Sequence, residues 1–264
     1  MQFENINLEI TEAIARILLN KPEKLNSLDD ATMTELNQAL DIVDRSTQVR
    51  VLVITGSGRA FCAGQDLNDP AMQEIDGQLP DIGDIVERHF KPMVLRLQNL
   101  RVPTIAAVNG LAAGGGASLA LACDLVVAAK SAYFLQAFSR IGLTPDTGST
   151  WYLAHKIGTA RAIGLTFLAE KLPAEKALEW GLIWQVLEDN EFADGVKQLA
   201  ARIATLPTKA LVRTRELIAA ALTHTLEQQL SMEATTIREM GKSVDYQEGV
   251  QAFIEKRVPV FTGK

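Results

Sequence analysis

The sequence predicts an α/β protein that becomes purely helical towards its C-terminus. Two observations carry this. Short apolar strand-like runs ("RVLVIT", "PTIAAVN", "DLVVAA") are separated by amphipathic helical segments, and no strand signal appears beyond about residue 189. Residues 3–19 alternate apolar and polar as two short strands, "FENINLEI" and "AIARILLN", about a turn near Thr11–Glu12. "NKPEKLNSLD" reads as a loop. Asp29 or Asp30 then caps a helix to about Arg45, because Met33, Leu36, Leu40 and Val43 recur at spacings of three and four. "RVLVIT" is a buried strand ended by "GSG". A helix over 84–99 leads to the strand "PTIAAVN", a glycine loop, a helix of small residues and the short strands "DLVVAA" and "AYFL". Four amphipathic helices close the chain, within "DNEFADGVKQLAARIATL", "TKALVRTRELIAAAL", "LEQQLSMEATTIREM" and "DYQEGVQAFIEK". This divides the chain into a core over 1–200 and a helical region over 201–264.

Bulk properties narrow the function classes. The 264 residues are 47% hydrophobic and 22% charged, ordinary for a globular protein with a sizeable core. A net charge of −6 argues against nucleic acid or an anionic membrane as the main partner. Two cysteines, Cys62 and Cys123, suit a reducing cytosol. "MQFENINLEI" lacks the pattern of a secretory leader, and apolar runs break well short of the roughly 20 residues that span a bilayer. The expected location is the cytoplasm. His89, His155 and His224 show no metal-ligand spacing.

Two glycine-rich stretches and one acid carry the chemical signal. "TGSGRAFCAGQDL" (55–67) follows a strand, but Phe61 stands where a dinucleotide fingerprint needs its third glycine, and no Gly-Lys-Ser/Thr follows. "AAVNGLAAGGGASLALACD" (106–124) puts three glycines at a helix start, where free N–H groups favour negative charge. A tight turn is the plain reading of the first stretch alone and close helix packing that of the second; two loops able to aim backbone N–H groups nonetheless suggest an oxyanion hole. "IGLTPDTGST" (141–150) sets Asp146 in a loop after Pro145, where a carboxylate serves either as a turn device or as a proton carrier. Cys62, beside the first stretch, reads better as a small buried thiol than as a nucleophile.

"FCAGQDL", "AAVNGLAAGGGASLALACDLVVAA", "IGLTPDTGSTWYL", "EWGLIWQVL" and the flanking "NKPEKLNSL" and "GVQAFIEKRVPVFTGK" resemble, in order and spacing, the crotonase (enoyl-CoA hydratase/isomerase) superfamily. The resemblance implies a crotonase-like spiral of ββα units and a C-terminal region that builds a homotrimer or a dimer of trimers. It further implies an acyl-CoA thioester substrate, without metal or separate cofactor. It assigns the oxyanion donors to the N–H groups of Gln65 and Gly115. Gly114 and Phe138 fall beside the substrate, Ala63 along the CoA adenine, and Asp66 and Leu67 on the CoA-side loop. Lys24 and Lys256 match positions that touch CoA phosphates. Such donors are needed because a carboxylate of pKa about 3.9 cannot by itself remove a thioester α-proton.

The hydratase branch of that superfamily uses two glutamates, and Ser118 and Phe138 stand in their places here. Asp146 is the acid that remains, and burial near Phe138 and Trp151 is expected to strengthen it as a base. One carboxylate suits isomerisation, because it can take a proton from one carbon and return it to another. The pattern most resembles the phenylacetate-pathway isomerases, which convert ring-1,2-epoxyphenylacetyl-CoA to oxepin-CoA and shift 3-enoyl-CoA to 2-enoyl-CoA. The expected enzyme is thus an intramolecular isomerase transposing a C=C bond or an epoxide. Ser149 departs from that resemblance, since a glycine is more usual there. The alternatives are an enoyl-CoA hydratase, an acyl-CoA hydrolase or dehalogenase with Asp146 as nucleophile, and a non-catalytic acyl-CoA or RNA binder.

Overall fold

The computed structural model describes residues 3–74 and 77–264; the first two residues of the segment read for a leader lie outside it. The expected hairpin forms from β1 (Ile6–Thr11) and β2 (Ile14–Leu19), paired from Ile6↔Leu19 to Thr11↔Ile14. α1 (Asp30–Arg45) is capped by Asp29, which accepts the Thr32 N–H, and Met33, Leu36, Leu40 and Val43 are buried as their spacing requires. β3 (Val51–Gly56) and β4 (Ala60–Cys62) follow. The next helix begins at α2 (Ile82–Ile85), two residues before the expected start, because Asp81 caps it through the Asp84 N–H. It passes through a π-helical turn, Val86–Phe90, into α3 (Lys91–Asn99).

Three strand pairs then repeat one course. β3 lies in the first sheet and β4 in the second. β5 (Thr104–Val108) and β6 (Leu111–Ala113) make the same step before α4 (Gly115–Leu121), and β7 (Leu125–Ala129) and β8 (Tyr133–Leu135) make it again before α5 (Ser149–Ile157) and α6 (Thr159–Leu168). β9 (Lys171–Pro173), α7 (Ala174–Glu179) and β10 (Gln185–Leu187) complete the two sheets. The first sheet runs β1-β2-β3-β5-β7-β10, parallel apart from the hairpin. The second runs β4-β6-β8-β9. Successive ββα units thus wind between two sheets, the spiral that the family resemblance implied. β4 and β6 fall inside the stretches read as glycine loops. At three residues each, they are too short to show a period of two.

The helical end comprises α8 (Phe192–Ala204), α9 (Thr208–Ala221), α10 (Leu226–Met240) and α11 (Val244–Glu255). α8 packs on the first sheet, burying Val196, Ala200 and Ile203 with Val51, Val53 and Ile105. On α9, the Arg215 guanidinium donates to the Asp124 carboxylate and to the carbonyls of Leu100 and Val102. Asp124, at the start of β7, also accepts both the N–H and the hydroxyl of Thr104, so it is a structural anchor. Beyond α9 the helices leave Leu226, Leu230, Ile237 and Phe253 exposed.

Candidate active site

The two glycine stretches meet. Gly64 has φ +88, and a Cβ there would lie 2.8 Å from the Ala113 carbonyl and 3.2 Å from the Gly115 nitrogen. Gly116 is tighter still, since a Cβ would come 2.3 Å from the Cys62 carbonyl oxygen. β4 pairs with β6, and that pairing brings the loop after Cys62 against the start of α4. Most N–H groups around this junction have acceptors: Gly64 donates to Cys62 Sγ, Asp66 to the Leu28 carbonyl, and Gly114 to the Leu135 carbonyl. The N–H groups of Gln65 and Leu67, and those of Gly115, Gly116 and Ala117 in the first turn of α4, have none among the described residues.

A cavity of about 270 Å³ opens at this junction. It is lined by Gln65, Gly114 and Gly115, by Ala63 and Leu67, by Phe138, and by Asp146 on the loop before α5. The sequence did not reveal its apolar wall of Met72, Ile82, Ile85, Val86, Phe90 and Leu143. The π-helical turn turns Val86 and Phe90 inwards, and the Phe90 ring seats against Gly115. Phe138 closes over Gly114.

Asp146 is the one acid lining this cavity among the described residues. Burial raises its carboxyl above the ordinary carboxylate range, and the hydrogen bond from the Thr147 hydroxyl, at 2.8 Å, offsets this only in part. Trp151 does not line the cavity. It sits 43% exposed on the outer face of α5, while Tyr152 turns inwards at 4% and donates nothing to Asp146; its hydroxyl accepts from Gln98. The expected contribution of Trp151 is therefore corrected: helix periodicity turns it away.

Three predicted residues lie outside the cavity lining. Asp66 is buried and accepts the Asn68 N–H and the Lys24 ammonium; burial raises its pKa, but these bonds outweigh that and leave it lowered. Lys24 is half exposed in that ion pair at 3.3 Å. Lys256 is exposed at the end of α11, in left-handed backbone at φ 55. Cys62 is fully buried, with its thiol pushed up to about 12, so it carries no nucleophilic chemistry at neutral pH. No cluster of metal-ligating side chains is found among the described residues, and none of their helices is long and apolar enough to cross a membrane. A larger, open trough of about 910 Å³ lies between α9, α10 and α11. Its Arg213 is already paired with Glu216 and Glu239, and it presents mostly apolar side chains.

The fold is an α/β spiral whose two glycine loops meet beside a cavity with one acid in its lining among the described residues. The chain belongs to the enoyl-CoA hydratase/isomerase family, the crotonases, whose family description matches residues 9–264. It is an enzyme of that family acting on CoA thioesters. It is 49% identical to the 1,2-epoxyphenylacetyl-CoA isomerase of Escherichia coli, over 99% of each chain. It is 44% identical to a probable enoyl-CoA hydratase of Rhodobacter capsulatus, over the whole of both. Among solved structures, an enoyl-CoA hydratase subunit from Geobacillus kaustophilus superposes with a TM-score of 0.91 at 34% identity, covering 100% of both chains.

Proposed function

We propose that this enzyme isomerises acyl-CoA thioesters through an enolate. In this reading the thioester oxygen lies against the N–H groups of Gln65 and Gly115, and the α-carbon lies towards Asp146. The Asp146 carboxylate takes the α-proton, charge passes to the oxygen at the two donors, and the protonated acid returns that proton to a carbon further along the conjugated system. A 3-enoyl-CoA becomes a 2-enoyl-CoA with no atom gained or lost. For ring-1,2-epoxyphenylacetyl-CoA, the same proton path accompanies opening of the three-membered ring to the oxepin. Each preorganised donor of this kind is worth about 3–4 kcal/mol. Ala63, Leu67, Gly114 and Phe138 would hold the thioester and acyl parts, and Lys24 and Lys256 the CoA phosphates, Lys256 within an assembly.

The observation that carries the reading is a single acid, among the described residues, in the lining of a mostly apolar cavity that also includes Gln65 and Gly115, whose N–H groups are unpaired; the one cation of that described lining, Arg140, is bonded to the Ala169 carbonyl. Hydration needs a second group to hold and deprotonate water, and Ser118 is buried behind the site while Phe138 has no titratable group. The substrate assignment draws further support from the 49% identity to the Escherichia coli isomerase. The test is a matched comparison of 3-enoyl-CoA isomerisation, ring-1,2-epoxyphenylacetyl-CoA turnover and crotonyl-CoA hydration, followed by ultraviolet and mass analysis. Isomerisation should dominate; hydration as the faster reaction would overturn the reading and favour the hydratase names among the relatives.

The chain is also proposed to work as a trimer or a dimer of trimers, with 1–200 as its catalytic core and 201–264 as its assembly region. Support comes from the exposed apolar residues of α9–α11 and from exposed Phe167, Leu168 and Trp184, since apolar surface of this kind marks interfaces in symmetric oligomers.

A further inference from the structure

Behind the cavity lie two hydroxyls that the proposed chemistry does not use. Ser118, on α4, and Ser149, at the start of α5, are both fully buried and neither lines the cavity. Their oxygens are 2.5 Å apart, across 31 residues of sequence. Ser118 Oγ also lies 3.3 Å from the Gly114 carbonyl oxygen, which can only accept. Ser118 therefore donates to Gly114, and Ser149 donates to Ser118.

Both ends of this short chain are tied to the proposed machinery. The Gly114 carbonyl belongs to the same peptide group as the Gly115 N–H. Ser149 donates its own N–H to the Asp146 carbonyl at 2.8 Å. A serine bonding back to the carbonyl four residues earlier is common in helices. What exceeds that habit is the second hydroxyl, which comes from the loop that carries the acid.

We propose that Ser149 and Ser118 form a hydroxyl relay that positions the Gly114–Gly115 peptide against the Asp146 loop, making both serines positioning residues for the reaction. Two effects follow. A hydrogen bond to an amide carbonyl polarises that amide and strengthens its N–H as a donor. The relay also fixes the spacing between acid and oxyanion donor, which matters because a displacement of about 1 Å costs roughly 100-fold in rate. This inference rests on the assignment of Gly115 as oxyanion donor and Asp146 as base.

The test compares wild type, Ser118→Ala, Ser149→Ala, the double variant and Asp146→Asn. It uses 3-enoyl-CoA isomerisation and the thioester carbonyl stretch of a bound saturated acyl-CoA. Each serine variant should lose about 10-fold in kcat, the scale of one hydrogen bond, with KM within about twofold. The double variant should lose no more than the worse single, because one relay is broken once. The carbonyl band, lowered in frequency by the wild type, should move back towards its free position in both single variants; a loss of packing alone would not move it. Wild-type kcat with an unmoved band in both singles overturns the relay, as does a double loss equal to the product of the single losses. If Ser118→Ala fails to fold, Ser149→Ala decides by the same two readings. An Asp146→Asn enzyme that still turns over refutes the base assignment instead, while the band, which needs only bound thioester, still reports on the relay.

Discussion

Gly116→Ala should cripple turnover while the protein remains folded. An added Cβ would lie 2.3 Å from the Cys62 carbonyl oxygen and 2.7 Å from Cys62 Cβ and Sγ. A tight contact begins near 3.0 Å and an ordinary one near 3.4 Å, so α4 and β4 must give by about 0.7–1.1 Å. The obstacle is backbone, and no rotamer change removes it. Gly115 precedes the substituted residue, and Gln65 lies three residues beyond Cys62, so the separation falls on the gap between the two N–H groups. A displacement of that size is worth roughly 100-fold in rate. Overpacking of this kind costs about 1–3 kcal/mol, hence a melting temperature lowered by roughly 2–12 °C for a chain of this length. Gly164→Ala is the matched control, because a Cβ there meets nothing within 4 Å in the middle of α6; it should keep full activity and gain up to about 1 kcal/mol. The assay is kcat/KM for 3-enoyl-CoA isomerisation beside a thermal melt. A Gly116→Ala enzyme with wild-type kcat/KM would refute the dependence of catalysis on this close approach.

Other outcomes follow from the same geometry. In the folded protein Asp146 favours its neutral form, so between the ordinary carboxylate value of 3.8 and its raised one the folded state binds more protons than the unfolded state. Stability from this group is thus full below that window and is lost as pH rises through it. Asp146→Asn should therefore melt higher than wild type at pH 7 and lose that advantage below about pH 3, as read by melts across pH. Because the base must be ionised, the acid limb of kcat/KM should lie above the ordinary carboxylate range; a limb at or below 3.8 would contradict the burial of Asp146. Arg215→Met should destabilise the fold by about 3 kcal/mol, since it strips the half-buried Asp124 of its cation, leaving only the Thr104 hydrogen bonds, and leaves two carbonyls unpaired; an unchanged denaturant midpoint would count against the anchoring of α9. Light scattering should find three or six times the 28.8 kDa chain mass, and a fully active monomer would contradict the assembly proposal.

The sequence foretold those elements whose side chains carry a period. α1 shows this best, with Asp29 as cap and Met33, Leu36, Leu40 and Val43 inward. β4 ("AFC") and β6 ("LAA") escaped because three small residues show no alternation, yet their pairing is what brings Gln65 to Gly115. The glycine stretches pointed to unpaired N–H groups, but that the two loops meet is a tertiary fact. The apolar wall escaped for another reason. Ile82, Ile85 and Val86 sit in a largely polar stretch, and a π-helical turn sets which side chains face the cavity. Trp151 was misjudged because neighbours on a helix point about 100° apart, and its neighbour Tyr152 takes the buried direction. Ser149 stood out in sequence as unusual without a reason; its partner Ser118 becomes visible only in three dimensions.

The central claim is that one carboxylate moves the proton, and turnover of a 3-enoyl-CoA by Asp146→Asn tests it most directly. Asparagine keeps the shape of the side chain and removes the base. The account predicts an enzyme that still folds, still binds the CoA thioester with wild-type affinity and loses at least about 100-fold in kcat. Near-normal turnover by that variant would contradict it.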